Sequence, residues 1–259
     1  MSIHHTEGAS QRAAGFPRVL VLTYGSLIYV AFLVVFLYLI GFVGGFGVPI
    51  TIDSGGAAAS TASAIAINVC LLGLFAVQHT IMARHGFKKW LTRFVPEPME
   101  RSTFVLFTLV VLIAMVLEWR PMPTVVWQLE SGLARGVLWT LFALGWGTVL
   151  LATFLIDHFD LFGLKQVVVF ARGREYPPPS FEERSLYRFV RHPLLLGFMI
   201  AFWSAPTMTQ GHLLFAVVTT VYMLAAIQIE ERGLIAVHGE SYEEYRRRVS
   251  MLLPLPRRR

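Results

Sequence analysis

Residues 187–197 read YRFVRHPLLLG, and within them Arg191 and His192 place two nitrogen-donor side chains directly before Pro193 and a strongly apolar run. After a further apolar stretch the chain presents the adjacent carboxylates Glu230 and Glu231. Guanidinium and imidazole suit a ligand's carboxylate, while carboxylates suit hydroxyl or ammonium groups. Taken singly, each of these residues is an ordinary anchor at a helix end. Brought together, they describe a pocket for a small zwitterionic or polyhydroxylated molecule, so the elements that carry them decide the matter.

Those elements belong in a bilayer. Of the 259 residues 55% are hydrophobic and 15% charged, too apolar for a soluble domain of this length. Segments 19–43, 60–82, 102–119 and 136–156 have the length needed to cross the hydrocarbon layer as helices. The first is too long for an export signal and lacks a convincing cleavage site, so it stays as a membrane helix. Runs 194–209 and 212–229 are shorter and read as a tight helical hairpin about Thr209, Gln210 and Gly211. The expected architecture is an all-α integral membrane protein of five to six transmembrane helices. It divides into a tail, 1–18, a four-helix part, 19–156, and a ligand-binding part, 157–259. Cys70 has no cysteine to pair with and is expected to pack in the core. The eight histidines are scattered, so no metal site is expected.

Cations set the orientation. Of the 22 Lys and Arg, 20 fall in 1–18, 83–101, 157–192 and 230–259, and only Arg120 and Arg135 lie in the alternate connections. The positive-inside rule then puts both termini on the cytoplasmic side of the inner membrane. The net charge of +6 reflects this topology and contact with anionic lipid, and nothing calls for nucleic acid.

Local signals refine the last third. Ser180 and Glu183 fit a capping box opening a helix over 181–190, and Pro193 suits the first turn of a new one. Hairpin arms of matched length would return Glu230 and Glu231 to the level of Arg191 and His192. His238-Gly239 reads as a helix stop, and Ser241 with Glu244 as a second capping box. The helix it opens, with Tyr242, Tyr245 and Arg246 to Arg248, would form a lid or interfacial anchor.

The spacing of RHPLLLG, the Glu pair, HGESYEEYRRRV and a following proline resembles the C-terminal half of the isoprenylcysteine carboxyl methyltransferase and phospholipid methyltransferase superfamily. VQHTIMARHGFKKW, PMERSTFVL and LEWRP in the N-terminal half are similar to bacterial methanethiol S-methyltransferases and their NnrU-like neighbours. The resemblance implies S-adenosylmethionine as cofactor, with S-adenosylhomocysteine as product. It implies Tyr187, Arg191, His192, Pro193, Gly197, Glu230 and Glu231 as the residues that hold it. Two departures matter. Ala226 stands where the isoprenylcysteine branch has a cation for a substrate carboxylate, which disfavours such a substrate. Leu195 replaces a tyrosine common after RHP, so that contact is not carried over.

The implied reaction moves a methyl group from a sulfonium to the sulfur of a small thiol, most simply methanethiol, giving dimethyl sulfide. An alkanethiol is mostly protonated at neutral pH, so a base is required. His79, near the end of the second span, is the first candidate and His158, between Asp157 and Asp160, the second. Both types of residue also serve simply as interhelical hydrogen-bonding groups. Arg84 and Arg101 with Glu100 read as a structural latch, and Asp157 or Asp160, if not orienting His158, as partners for Lys165 or Arg188. Alternatives are a lipid or isoprenoid methyltransferase, which needs a wide lateral opening, and a non-enzymatic NnrU-like accessory protein.

Overall fold

A computed structural model describes residues 17–177 and 185–254. The protein is an all-α multi-pass membrane protein. Among the described residues five helices are long and apolar enough to cross a bilayer: α1 (Arg18–Gly44), α2 (Thr61–Met82), the Glu97–Glu118 helix with its short 3-10 start, α5 (Gly132–Ile156) and α9 (Gln210–His238). The regular part of the third is α4 (Glu100–Glu118). Between them lie the short helices α3 (His85–Leu91), α6 (His158–Leu161), α7 (Leu164–Ala171) and α8 (Pro193–Trp203), and α10 (Glu240–Arg248) follows the last span.

The chain folds as two compact units. The first collects residues up to Leu39, Gly73–Met115 and the segment from Asp157. Its core joins Ile28, Met82, Leu91, Phe104, Val105 and Leu109. Gly163, at φ +86°, lets the chain turn into α7 beside Ser102, where a Cβ would lie 2.6 Å from the Ser102 hydroxyl oxygen. Arg101 donates from Nε to the Leu161 carbonyl at 2.8 Å, so the expected latch closes on backbone.

The second unit holds Ile40–Leu72, Val116–Ile156 and the chain beyond residue 181. Its most extensive helix contact is α5 against α8. A Cβ on Gly197 would sit 2.8 Å from the Gly145 carbonyl oxygen, and one on Gly145 would sit 2.6 Å from the Ala201 nitrogen. Small residues thus bring two backbones together where lipid offers no hydrophobic drive. Elsewhere Asn68 is fully buried and caps the chain after α4, donating to the Arg120 carbonyl at 2.8 Å and accepting from its amide at 2.9 Å.

The hairpin departs from the expected equal arms. α8 has 11 residues and α9 has 29, about 16 and 43 Å of helix. Residues 204–209 are not helical, and Thr207–Thr209 forms a strand, β2, antiparallel to β1 (Val125–Gln128) with a bulge between Val125 and Trp127. Pro206 cannot donate an amide and so stops α8 from continuing. The two charged clusters still meet despite unequal helices, Arg191 Nε lying 2.7 Å from Glu231 Oε1, with Glu230 and Glu231 on α9 itself.

Three further expectations change. Cys70 is exposed on α2 instead of packed in the core; an apolar thiol is compatible with a lipid-facing position. Within the expected helix 181–190, residues Ser185–Arg188 form a 3-10 turn, since Ser185 has φ 44° and the Val190 backbone bridges to Ser250. The Ser180–Glu183 capping box lies outside the described residues. The second capping box does not form: Gly239, at φ 58°, both ends α9 and starts α10, and Ser241 donates to the His238 carbonyl at 2.8 Å.

Candidate active site

Glu231 is the centre of the cluster. Its Oε1 accepts from Arg191 Nε at 2.7 Å and lies 3.1 Å from His192 Nε2, and its Oε2 lies 3.0 Å from Arg246 Nε. The side chains of Arg191 and Glu231 are each 3% exposed. A buried carboxylate at this depth is tenable only because three donors surround it. His192 turns its other ring nitrogen, Nδ1, towards Glu230 Oε2 at 3.7 Å. The Glu230 side chain is 57% exposed and so offers lone pairs to an incoming molecule.

Backbone holds these side chains in place. Pro193 opens α8 and is buried, with His192 as its N-cap residue at φ −126°. The amides of Arg191 and His192 donate to the carbonyls of Ser250 and Met251 at 2.9 and 3.2 Å. Arg191 Nη1 donates to the Val249 carbonyl at 2.5 Å and to that of Arg246 at 3.2 Å. Residues 249–251 are therefore a strap across the RHP break. α10 covers it through Tyr242 and Tyr245, both buried, and the Tyr245 hydroxyl donates to the Tyr187 carbonyl at 2.7 Å. Burial, with Glu231 close by, pushes the Tyr242 phenol up to about 12. The half-buried Tyr187 phenol is also raised, by burial first and then by Glu230, so it remains a proton donor at neutral pH.

Gly197 meets α5, as described above, so its lack of a side chain serves a helix contact. Arg246, expected in the lid or interfacial anchor, reaches the Glu231 carboxylate, and the strap is a site component that the sequence signals did not single out. The strap acts through main-chain atoms and leaves no residue-type signature.

The candidate bases lie in the first unit. His79 stacks on Phe75 at 5.3 Å and packs against Phe104 at 5.0 Å between ring centroids. Its Nδ1 is buried and has no hydrogen-bond partner among the described residues. Such an orphaned nitrogen costs free energy unless something else engages it. His158 is 4% exposed, ringed by Tyr29, Phe159 and Phe162, and its Nε2 is 2.9 Å from the Tyr29 hydroxyl. Burial lowers its pKa, against an opposing pull from Asp157. Asp157 itself pairs with Lys165 at 2.5 Å, and this hydrogen bond raises the Lys165 pKa. Asp160 accepts from Tyr176 and from Gln166. Glu100 Oε1 is buried without a hydrogen bond among the described residues.

The family profile described as "NnrU protein" matches residues 68–251. The methanethiol S-methyltransferase of Mycobacterium tuberculosis is 53% identical over 241 residues, covering 93% of this chain and 98% of that one. The chain belongs to the methanethiol S-methyltransferase family, within the NnrU group. Methanethiol S-methyltransferase 1 of Bradyrhizobium diazoefficiens is 49% identical, covering 96% of this chain and 87% of its own. The Pseudomonas deceptionensis enzyme of that name is 51% identical, covering 83% and 82%. No solved structure matches the chain.

Proposed function

We propose that the protein methylates methanethiol to dimethyl sulfide, using S-adenosylmethionine, at the cytoplasmic face of the inner membrane with both termini cytoplasmic. The observation that carries this reading is the near-complete coverage of relatives bearing that name at about half identity. The donor set suits the cofactor: a half-exposed carboxylate, a phenol that keeps its proton and an imidazole sit together at the RHP break.

When bound, the cofactor supplies an electrophilic methyl group on a sulfonium. Glu230 would accept from its ribose hydroxyls or ammonium group, and His192 with Tyr187 would donate to its polar tail. Arg191 has Nε and Nη1 engaged by Glu231 and by backbone. Its main contribution is to lock the carboxylate and the strap, with Glu231 and Pro193 as parts of the same wall. As thiol base we propose His79, whose Nδ1 is buried without a hydrogen-bond partner among the described residues; methyl transfer would break the methyl–sulfonium bond and form the new carbon–sulfur bond to the thiolate. Attack of an anion on a cation cancels charge, so a dry site disfavours the separated ions more than the transition state.

The test is incubation of purified protein with methyl-labelled S-adenosylmethionine and, in parallel, methanethiol, longer thiols or lipid, followed by headspace and extract analysis. Label in dimethyl sulfide is the expected result. Label only in lipid overturns the reading, and binding without any methylated product points to an accessory protein.

A further inference from the structure

At the turn end of the hairpin, about 16 Å along α8 from His192, the second unit holds a cavity of about 200 Å³ that the proposed chemistry does not use. Asp53, Arg135, Trp139, Phe142, Ser204 and His212 are in its wall. Asp53 Oδ1 accepts from the Thr209 hydroxyl at 2.5 Å. Among the described residues neither Asp53 nor Arg135 forms an ion pair, with the other or elsewhere. Opposite charges thus face one cavity without touching. His212 is 3% exposed, and its Nε2 lies 2.9 Å from the Phe202 carbonyl. A carbonyl only accepts, so the proton sits on Nε2 and Nδ1 carries a lone pair. Trp139 and Phe142 meet edge to face at 5.4 Å and give an apolar flank.

We propose that this cavity is a second binding site, for a small zwitterion of amino-acid size. Arg135 receives the carboxylate, and Asp53 with Nδ1 of His212 receives the ammonium group. The two rings take an aliphatic side chain. A bridging zwitterion satisfies both charges at once, whereas a neutral thiol leaves the carboxylate and the guanidinium each without a counterpart in the cavity. The cavity is smaller than the sites of drug-sized ligands, in keeping with a simple metabolite.

The test is calorimetry on the full chain in lipid nanodiscs, with excess S-adenosylhomocysteine present to occupy the other cluster. The probes are L-leucine, L-leucinamide, which lacks the carboxylate, and 4-methylpentanoate, which lacks the ammonium group. Leucine is expected to bind at least about tenfold more tightly than either analogue, the effect of losing one charged hydrogen-bonding contact. Arg135→Gln should abolish the preference over leucinamide, and Asp53→Asn the preference over 4-methylpentanoate. Arg135→Lys, which retains the charge, should keep the first preference, and unchanged melting temperatures establish that the variants fold. Equal affinities for the three probes, undiminished leucine binding in both variants, or no binding at about millimolar leucine overturns the proposal.

Discussion

Glu231 and Glu230 are neighbours in sequence with opposite duties. Glu231 neutralises Arg191 in a site from which water is excluded, so Glu231→Gln should destabilise the fold by about 3–5 kcal/mol, read as a lower unfolding midpoint in detergent. Glu230 is half in solvent, so Glu230→Ala should leave that midpoint near its original value. Calorimetry with S-adenosylhomocysteine should instead show binding weakened by about tenfold or more. His79→Ala should spare this binding and lower kcat by about 10²–10⁴ with methanethiol, the usual range for a general base. His158 carries a pH signature. Its folded pKa lies below the ordinary 6.5, so between the two values the unfolded chain binds more protons. Stability is therefore complete above pH 6.5 and declines as pH falls towards the folded value. His158→Gln should flatten this acid limb in unfolding curves recorded from pH 7 down to about pH 5.

Among elements, the α5–α8 crossing is the most constrained. Gly197→Ala places a methyl 2.8 Å from both the Gly145 carbonyl and the Val149 amide nitrogen, and both are backbone atoms with little room to yield. A loss of about 1–3 kcal/mol is expected in the same detergent unfolding assay.

 The four long apolar spans were legible in the sequence to within a few residues, because a bilayer demands an unbroken apolar run and little else produces one. The hairpin was legible only as a return. Its apolar pattern continues through residues 204–209, and strand pairing between β1 and β2, a contact between distant segments, decides that these residues leave the helix. Ser241 shows the same limit: its spacing to Glu244 fits a cap, but Gly239 at positive φ supplies the turn and the hydroxyl bonds backwards. Arg191, His192 and the Glu pair were readable as a cluster because opposite charges beside apolar runs are costly unless they meet. Tyr29 beside His158 was not, since a single phenol in an aliphatic run gives no hint of its partner.

At the scale of the whole molecule, the charge asymmetry and Cys70 can be read in one labelling experiment. Cys70 is exposed on an apolar helix, so lipid should cover it and a water-soluble maleimide should leave it unmodified in intact membranes. In a Cys70→Ser background, Lys88→Cys should react only from the cytoplasmic side and Glu130→Cys only from the opposite side. Labelling of both from one side would refute the proposed orientation.

The strap at residues 249–251 also sets a timetable for biosynthesis. The Val249 carbonyl that receives the Arg191 guanidinium comes 58 residues later in the chain. At ribosomal speeds of roughly 5–20 residues per second, on the order of several seconds pass before that acceptor exists. During this interval the nascent guanidinium must remain hydrated at the membrane surface, so the pocket wall matures only after α9 has been threaded and α10 has been translated.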